Sequence, residues 1–152
     1  MTKILSGSMF LAIAATSVQA LPARAFERAE FFANCAGRMT ALAVHQDGFG
    51  ETGAPAMQEL AETFEVLLDA TLPAAYAEGV PATDPDRWRN RGWTEMAALL
   101  TQVHLSFDTI SSDAAAEALN ARVTSCTSAL LPTAVEHRHE HRHIIRTQSP
   151  MR

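Results

Sequence analysis

A long stripe of apolar side chains at helical spacing constrains the fold of this chain more than any other feature. Its members recur every three or four residues: Trp93, Met96, Leu100, Val103, Phe107 and Ile110. An α-helix turns once in about 3.6 residues, so this spacing places them on one helix face. The pattern predicts a helix from Asp84 to about Ile110, with Asp84 as its cap and Pro85 at its first position. Gly92 interrupts the pattern early, so residues 86–91 are predicted to form a separate turn.

Three further stretches repeat the three-four spacing and predict three more helices. Their limits, in chain order, are about Ala25 to Gln46, Ala56 to Pro73, and Ser111 to Pro132. The glycine-rich stretch 47–55 separates the first two helices. Pro73 should kink or stop the second helix. Ser111, Ser112 and Asp113 supply caps for the last one.

The sequence predicts an all-α fold, because alternating β-branched runs are missing from it. Four amphipathic helices with short connections pack most simply as an up-and-down bundle. The first and last helices are then antiparallel, which brings Cys35 towards Cys126, and each cysteine lies on an apolar stripe. We therefore predict one disulfide, worth about 4 to 5 kcal/mol for a loop of this length on the chain-entropy model. A redox pair and metal thiolates are the alternatives.

The first twenty residues have the layout of a secretory signal peptide. Lys3 precedes an apolar run at 9–18, and small residues lead to a cleavage site after Ala20, with a second candidate after Ala25. The run is much shorter than the roughly 20 residues of a transmembrane helix. We predict a periplasmic or secreted protein without a transmembrane anchor, in a compartment where disulfides persist. The predicted segments are a signal peptide at 1–20, a helical bundle domain at 21–132 and a C-terminal tail at 133–152.

Charge and motifs exclude several classes of function. Without the leader, which holds the only lysine, 11 of the 12 basic residues remain against 17 acidic ones, a net charge near −6. Such a charge argues against a nucleic-acid partner. The sequence has no GxSxG, HExxH, phosphate-loop, GxGxxG or CxxCH motif. We therefore predict that the protein is not an enzyme.

One stretch of the first helix resembles a known group of proteins. The motif FxxCAGR at residues 32–38, within AEFFANCAGRMTAL and followed by a second cysteine late in the chain, is similar to that of small exported bacterial proteins of unassigned function. The similarity covers mainly the first helix. It implies a helical exported domain with a disulfide and supplies no activity.

The stretch EHRHEHRH, residues 136–143, holds four of the six histidines: His137, His139, His141 and His143. In a helix they would form two separate pairs, whereas in an extended chain all four would lie on one side. Imidazole suits copper, nickel and zinc, and histidine-rich tracts are typical of metal binding. Arg138 and Arg142 disfavour a bound cation, and the two glutamates partly offset them. The alternatives are a solvated, charged tail and a pH-responsive role.

The other two histidines have structural interpretations. His45 lies at the end of the first predicted helix, where the helix dipole favours a positive ring. His104 adjoins the stripe of the third helix, and we expect it to be partly buried with its polar atoms paired. The stretch RWRNRGW, residues 87–93, can bind anions or lipid headgroups, but in an acidic chain it is more typical of a helix-start surface with one anchoring tryptophan.

Taken together, these patterns predict a periplasmic or secreted helical protein that acts by binding. The first hypothesis gives the histidine-rich tail a role in handling copper, nickel or zinc. The alternative is a structural or protein-interaction module whose partner is another periplasmic protein. In that case the tail only keeps the end of the last helix in solution.

Overall fold

The computed structural model describes residues 21–130, which form four helices. They are α1 (Ala25–Gly48), α2 (Ala54–Ala77), α3 (Asp84–Leu105) and α4 (Thr109–Ser128). Successive helices run in opposite directions, so α1 and α3 are parallel. Within the described range there is no strand. The predicted all-α, four-helix bundle closed by one disulfide is confirmed.

Two parts of the chain lie outside the described residues. Residues 1–20 hold the predicted signal peptide, and residues 131–152 hold the four histidines of the predicted metal site. None of the four described helices combines the length and the hydropathy needed to cross a membrane.

The central element of the bundle is α1. It packs along α2 on one side and along α3 on the other, whereas α4 packs against α3 and meets α1 over a short stretch. Of the 11 buried residues of α1, 7 are alanine or glycine. Such small side chains let the flanking backbones approach α1 closely, while larger side chains fill the remaining space. The largest fully buried side chains of the core are Met39, Phe64, Leu68 and Met96.

The helices α1 and α3 cross at two glycines, Gly37 and Gly92. A Cβ atom added at Gly37 would lie 2.0 Å from the carbonyl oxygen of Arg89, and one added at Gly92 would lie 2.2 Å from that of Asn34. Only glycine fits this contact, because backbone atoms cannot move aside as side chains do. The prediction that Gly92 interrupts the helix is therefore wrong: residues 86–91 belong to α3, and Gly92 is a packing point inside it.

Pro73 does not stop α2, which continues to Ala77. The helix closes instead at Gly79, whose φ of +94° favours glycine, and the N–H of Val80 donates to the carbonyl of Ala75 at 3.2 Å. Pro73 is exposed and lies near the end of the helix. Asp69, whose carbonyl loses its donor there, is also an exposed residue, so the cost of proline is small at this position.

The end of α3 also differs from the prediction, because the helix stops at Leu105 and not near Ile110. Asp108 starts α4 by accepting hydrogen bonds from the N–H groups of Ile110 and Ser111, at 3.3 and 3.1 Å. These bonds satisfy the free donors of a new helix N-terminus. Phe107 and Ile110 consequently leave the apolar stripe and are 106% and 78% exposed.

The predicted caps are wrong for both α3 and α4. Residues 111–113 lie inside α4, whose cap is Asp108. Thr83 occupies the cap position of α3, and Asp84 is its first helical residue. The carboxylate of Asp84 pairs with Arg87 at 3.0 Å. Sequence identified the right regions here but missed the helix boundaries by one to three residues.

Candidate functional site

The predicted disulfide is present between Cys35 of α1 and Cys126 of α4. The two Cα atoms are 5.6 Å apart, and both side chains are fully buried. Besides Cys126, the only residue that α4 buries is Ala115, so the disulfide is a principal attachment of this helix. Complete burial is typical of a structural bridge, because exchange with another thiol requires access to a sulfur atom.

An ion-pair network lies beside the disulfide. Glu95 of α3 accepts hydrogen bonds from Arg38 of α1 at 2.7 Å and from Arg122 of α4, and Arg38 also reaches the Cys126 sulfur at 3.9 Å. Burial alone would raise the pKa of the Glu95 carboxyl. The two arginines outweigh this effect and lower that pKa below its ordinary value. The network therefore ties three helices together while Glu95 is ionised.

The arginines of RWRNRGW are all paired with carboxylates of the same chain. The partners are Asp84 for Arg87, Glu65 and Asp86 for Arg89, and Glu30 for Arg91. The bidentate pair of Arg89 with Glu65 joins α3 to α2, and hydrogen bonding to Glu65 raises the pKa of Arg89. Trp88 packs against the core. This arrangement favours the interpretation of the stretch as a helix-start surface over an anion-binding patch.

A groove of about 320 Å³ lies between the C-terminal halves of α1 and α3. Its lining residues are Ala41, Val44, His45, Phe49, Trp93, Ala97, Leu100, Thr101, His104 and Leu105. Nine large apolar side chains of residues 21–130 are markedly exposed, and four of them line this groove: Val44, Phe49, Trp93 and Leu105. Exposed apolar side chains clustered in a concave surface are typical of a binding site.

The local sequence explains why the groove is open. Near one end of it, the Gly37–Gly92 contact brings the backbones of α1 and α3 together. At the other end, three rings stand between the helices: His45, Phe49 and His104. Their centroids are 4.6 Å apart for His45 and Phe49, and 5.5 Å apart for the stacked rings of Phe49 and His104. Bulky rings thus occupy this end of the α1–α3 interface, whereas glycines occupy the other end.

His45 and His104 meet in this groove, which the sequence did not predict. Their ring centroids are 4.6 Å apart. His104 is exposed, so the expectation that it is partly buried is wrong. The Nε2 atom of His45 is inaccessible to solvent and has no hydrogen-bond partner among the described residues. The position of His45 in the last turn of α1 is as expected.

The described residues contain no cluster of three or more histidine, cysteine, aspartate or glutamate side chains that could hold a metal ion. The predicted ligands His137, His139, His141 and His143 lie outside residues 21–130, so the metal hypothesis stays a prediction from the sequence.

Comparison with known proteins adds no further assignment. No family model matches the chain, and no curated protein or solved structure matches it either. The resemblance to exported bacterial proteins with an FxxCAGR first helix therefore stays a prediction, and the function rests on the site itself.

Proposed function

We propose that this chain is an exported binding protein that takes a small, mainly apolar ligand into the groove between α1 and α3. The observation that carries the proposal is the concentration of exposed apolar side chains there. Val44, Phe49 and Leu105 are 59%, 65% and 70% exposed, although each could have been covered by a neighbouring helix. Leaving such groups in water costs free energy, which a ligand would recover.

The shape and chemistry of the groove also support this proposal. Ligand sites are concave, mainly apolar and equipped with a few polar groups that orient the ligand. The groove of about 320 Å³ lies at the small end of the size range of such sites. Its polar groups are Thr101 and the two histidines, and the rest of its lining is apolar.

Binding of the fluorescent apolar probe N-phenylnaphthylamine tests the proposal. Leu105→Ser should weaken binding about fivefold or more, because it removes an apolar wall of the groove. Val66→Ser is the matched control, since Val66 is 68% exposed, nearly as much as Leu105, but lies on α2 away from the groove. Equal effects of the two substitutions would contradict the proposal. A wild-type protein that binds no probe would favour the alternative of a protein-interaction module.

Export is the second part of the proposal, and the buried disulfide supports it because such bonds persist in oxidising compartments. Cleavage after Ala20 is favoured over cleavage after Ala25. Ala25 is only 4% exposed in the core, and its N–H donates to the Glu78 carboxylate at 3.2 Å. Removing residues up to Ala25 would delete a core side chain. Mass spectrometry of the secreted protein should find Leu21 at its N-terminus, and a chain beginning at Phe26 would contradict this.

A second proposed function is binding of copper, nickel or zinc by the C-terminal tail. The observation that favours it is the density of histidines at 137–143. Equilibrium dialysis at neutral pH should show metal bound to the intact protein. A full-length variant with all four tail histidines changed to glutamine should lose that metal, and equal binding by both proteins would rule out a tail site.

A further inference from the structure

The polar end of the groove is a pair of imidazole rings in an otherwise uncharged wall. His45 of α1 and His104 of α3 face each other at 4.6 Å, and Phe49 packs against both. The lining contributed by α1, by α3 and by the chain following α1 contains no aspartate, glutamate, lysine or arginine. Among the described residues that line the groove, the two histidines are therefore the ionisable imidazole groups.

The His45 Nε2 atom requires a partner that residues 21–130 do not supply. Burying a polar atom without a hydrogen bond is unfavourable, and most such atoms in folded proteins are paired. Because this atom is inaccessible to solvent, a molecule in the groove first meets the exposed ring of His104, and a turn of the His45 ring would bring its Nε2 atom to the same molecule. The surrounding walls are apolar, so this position suits a ligand with one polar end and an apolar body.

The chemistry of the groove lining decides which kind of polar group the ligand can carry. A cationic end would meet no carboxylate in the lining and would be repelled by a protonated imidazole. A divalent metal ion would find two neutral ligands and apolar walls, and it would lose much of its hydration without compensation. An anionic end would accept hydrogen bonds from one or both imidazoles, and these bonds strengthen when a ring is protonated.

We infer that the groove binds a small apolar monocarboxylate, with its carboxylate at His45 and His104 and its hydrocarbon part along Leu100 and Trp93. This inference rests on the proposed ligand-binding function and adds the chemical class of the ligand. Along α3, the distance from Trp93 to His104 corresponds to about 16 Å of helix, which suits a medium-length hydrocarbon chain.

Isothermal titration of the full-length protein with decanoate, decanol and decyltrimethylammonium tests the inference. The four tail histidines are changed to glutamine in every sample, so that His45 and His104 are the only histidines present. Decanoate should bind at least about tenfold more tightly than the neutral or cationic probe, the effect of one charge-assisted hydrogen bond.

Two variants keep the test specific. His45→Phe and His104→Phe should each remove most of the preference for decanoate over decanol. His104 is exposed, so its replacement does not threaten the fold even if that of His45 does. Equal affinity for decanoate and decanol in the unaltered groove would overturn the carboxylate inference and leave the binding function standing. Absence of binding by all three probes would overturn the binding function itself.

Discussion

The same two helices, α1 and α3, meet in opposite ways along their length. At the crossing end, defined by Gly37 and Gly92, the backbones touch, and ion pairs such as Arg38–Glu95 cover the contact. At the groove end, defined by His45 and His104, rings from the two helices contact each other and apolar side chains face water. The difference teaches that close backbone packing and an open apolar surface can lie in two regions of one helix pair. Substitutions should therefore affect stability at the crossing end and ligand affinity at the groove end.

Removing the disulfide should cause the largest loss of stability. Replacing both Cys35 and Cys126 by serine should lower the free energy of unfolding by about 2 to 5 kcal/mol, because the bond closes a loop of 91 residues beside the crossing end. Urea unfolding followed by circular dichroism measures this loss. The reduced wild-type protein serves as the control and should match the variant. A loss below about 1 kcal/mol would mean that α4 is held mainly by other contacts.

Adding a methyl group at the helix crossing should cause the next largest loss of stability. Gly92→Ala should destabilise the protein by about 1 to 3 kcal/mol, because the new Cβ would overlap the carbonyl of Asn34. Gly48→Ala is the matched control in α1, where nothing lies within 4 Å of the added atom. That control should be neutral or slightly stabilising, since alanine has the higher helix propensity. Equal results for the two variants would show that the helices do not cross at Gly92.

Acid should weaken the crossing end through Glu95. The pKa of Glu95 is lowered in the folded protein, so its contribution is complete above the unfolded value of 4.5 and is lost as the pH falls through the folded value. Glu95→Gln should cost about 1 kcal/mol near pH 7, since partly exposed ion pairs contribute up to about that much. The variant should also flatten the fall in stability below about pH 4.5. Chemical denaturation at several pH values measures both effects.

The control for Glu95→Gln is Glu59→Gln, which changes an exposed carboxylate on α2. It should leave the pH dependence as it is in the wild type. A steeper acid transition in Glu95→Gln than in the wild type would contradict the assigned direction of the pKa shift.

The smallest effect on stability is expected beyond the groove end, in the connection between α3 and α4. Phe107→Ser should change the free energy of unfolding by no more than about 0.5 kcal/mol, because the side chain is fully exposed. The apolar spacing alone predicts that Phe107 belongs to the core stripe, whereas the structure exposes it. This variant therefore distinguishes the two expectations. Thermal unfolding gives the answer, and a loss above about 1 kcal/mol would mean that Phe107 is covered in solution.

Sequence periodicity predicted the helices because burial of one face imposes a 3.6-residue spacing on the chain. It also predicted the disulfide, since Cys35 and Cys126 both lie on such faces. It could not predict the end of α3, because the spacing of Phe107 and Ile110 continues across the connection. There, hydrogen bonds from two backbone N–H groups to Asp108 decide where the next helix begins.

The groove could not be predicted from the sequence, for a different reason. Whether Val44 or Leu105 is buried depends on which helix covers that side of the α1–α3 pair, and α2 and α4 leave this part open. His45 and His104 lie far apart in the chain, and no motif links them. The sequence does place apolar residues near the ends of two predicted helices, but such residues are equally typical of the core.

The most direct test of the division between the two ends is an NMR titration of the ¹⁵N-labelled protein with decanoate. The predicted result is a set of shifts confined to the groove end, including the Trp93 indole and the backbone amides of His45 and Phe49. Signals of Asn34 and Arg89, which lie at the crossing and outside the groove lining, should stay in place. Shifts centred on the crossing end, or spread evenly over all four helices, would contradict the proposed ligand site between the C-terminal halves of α1 and α3.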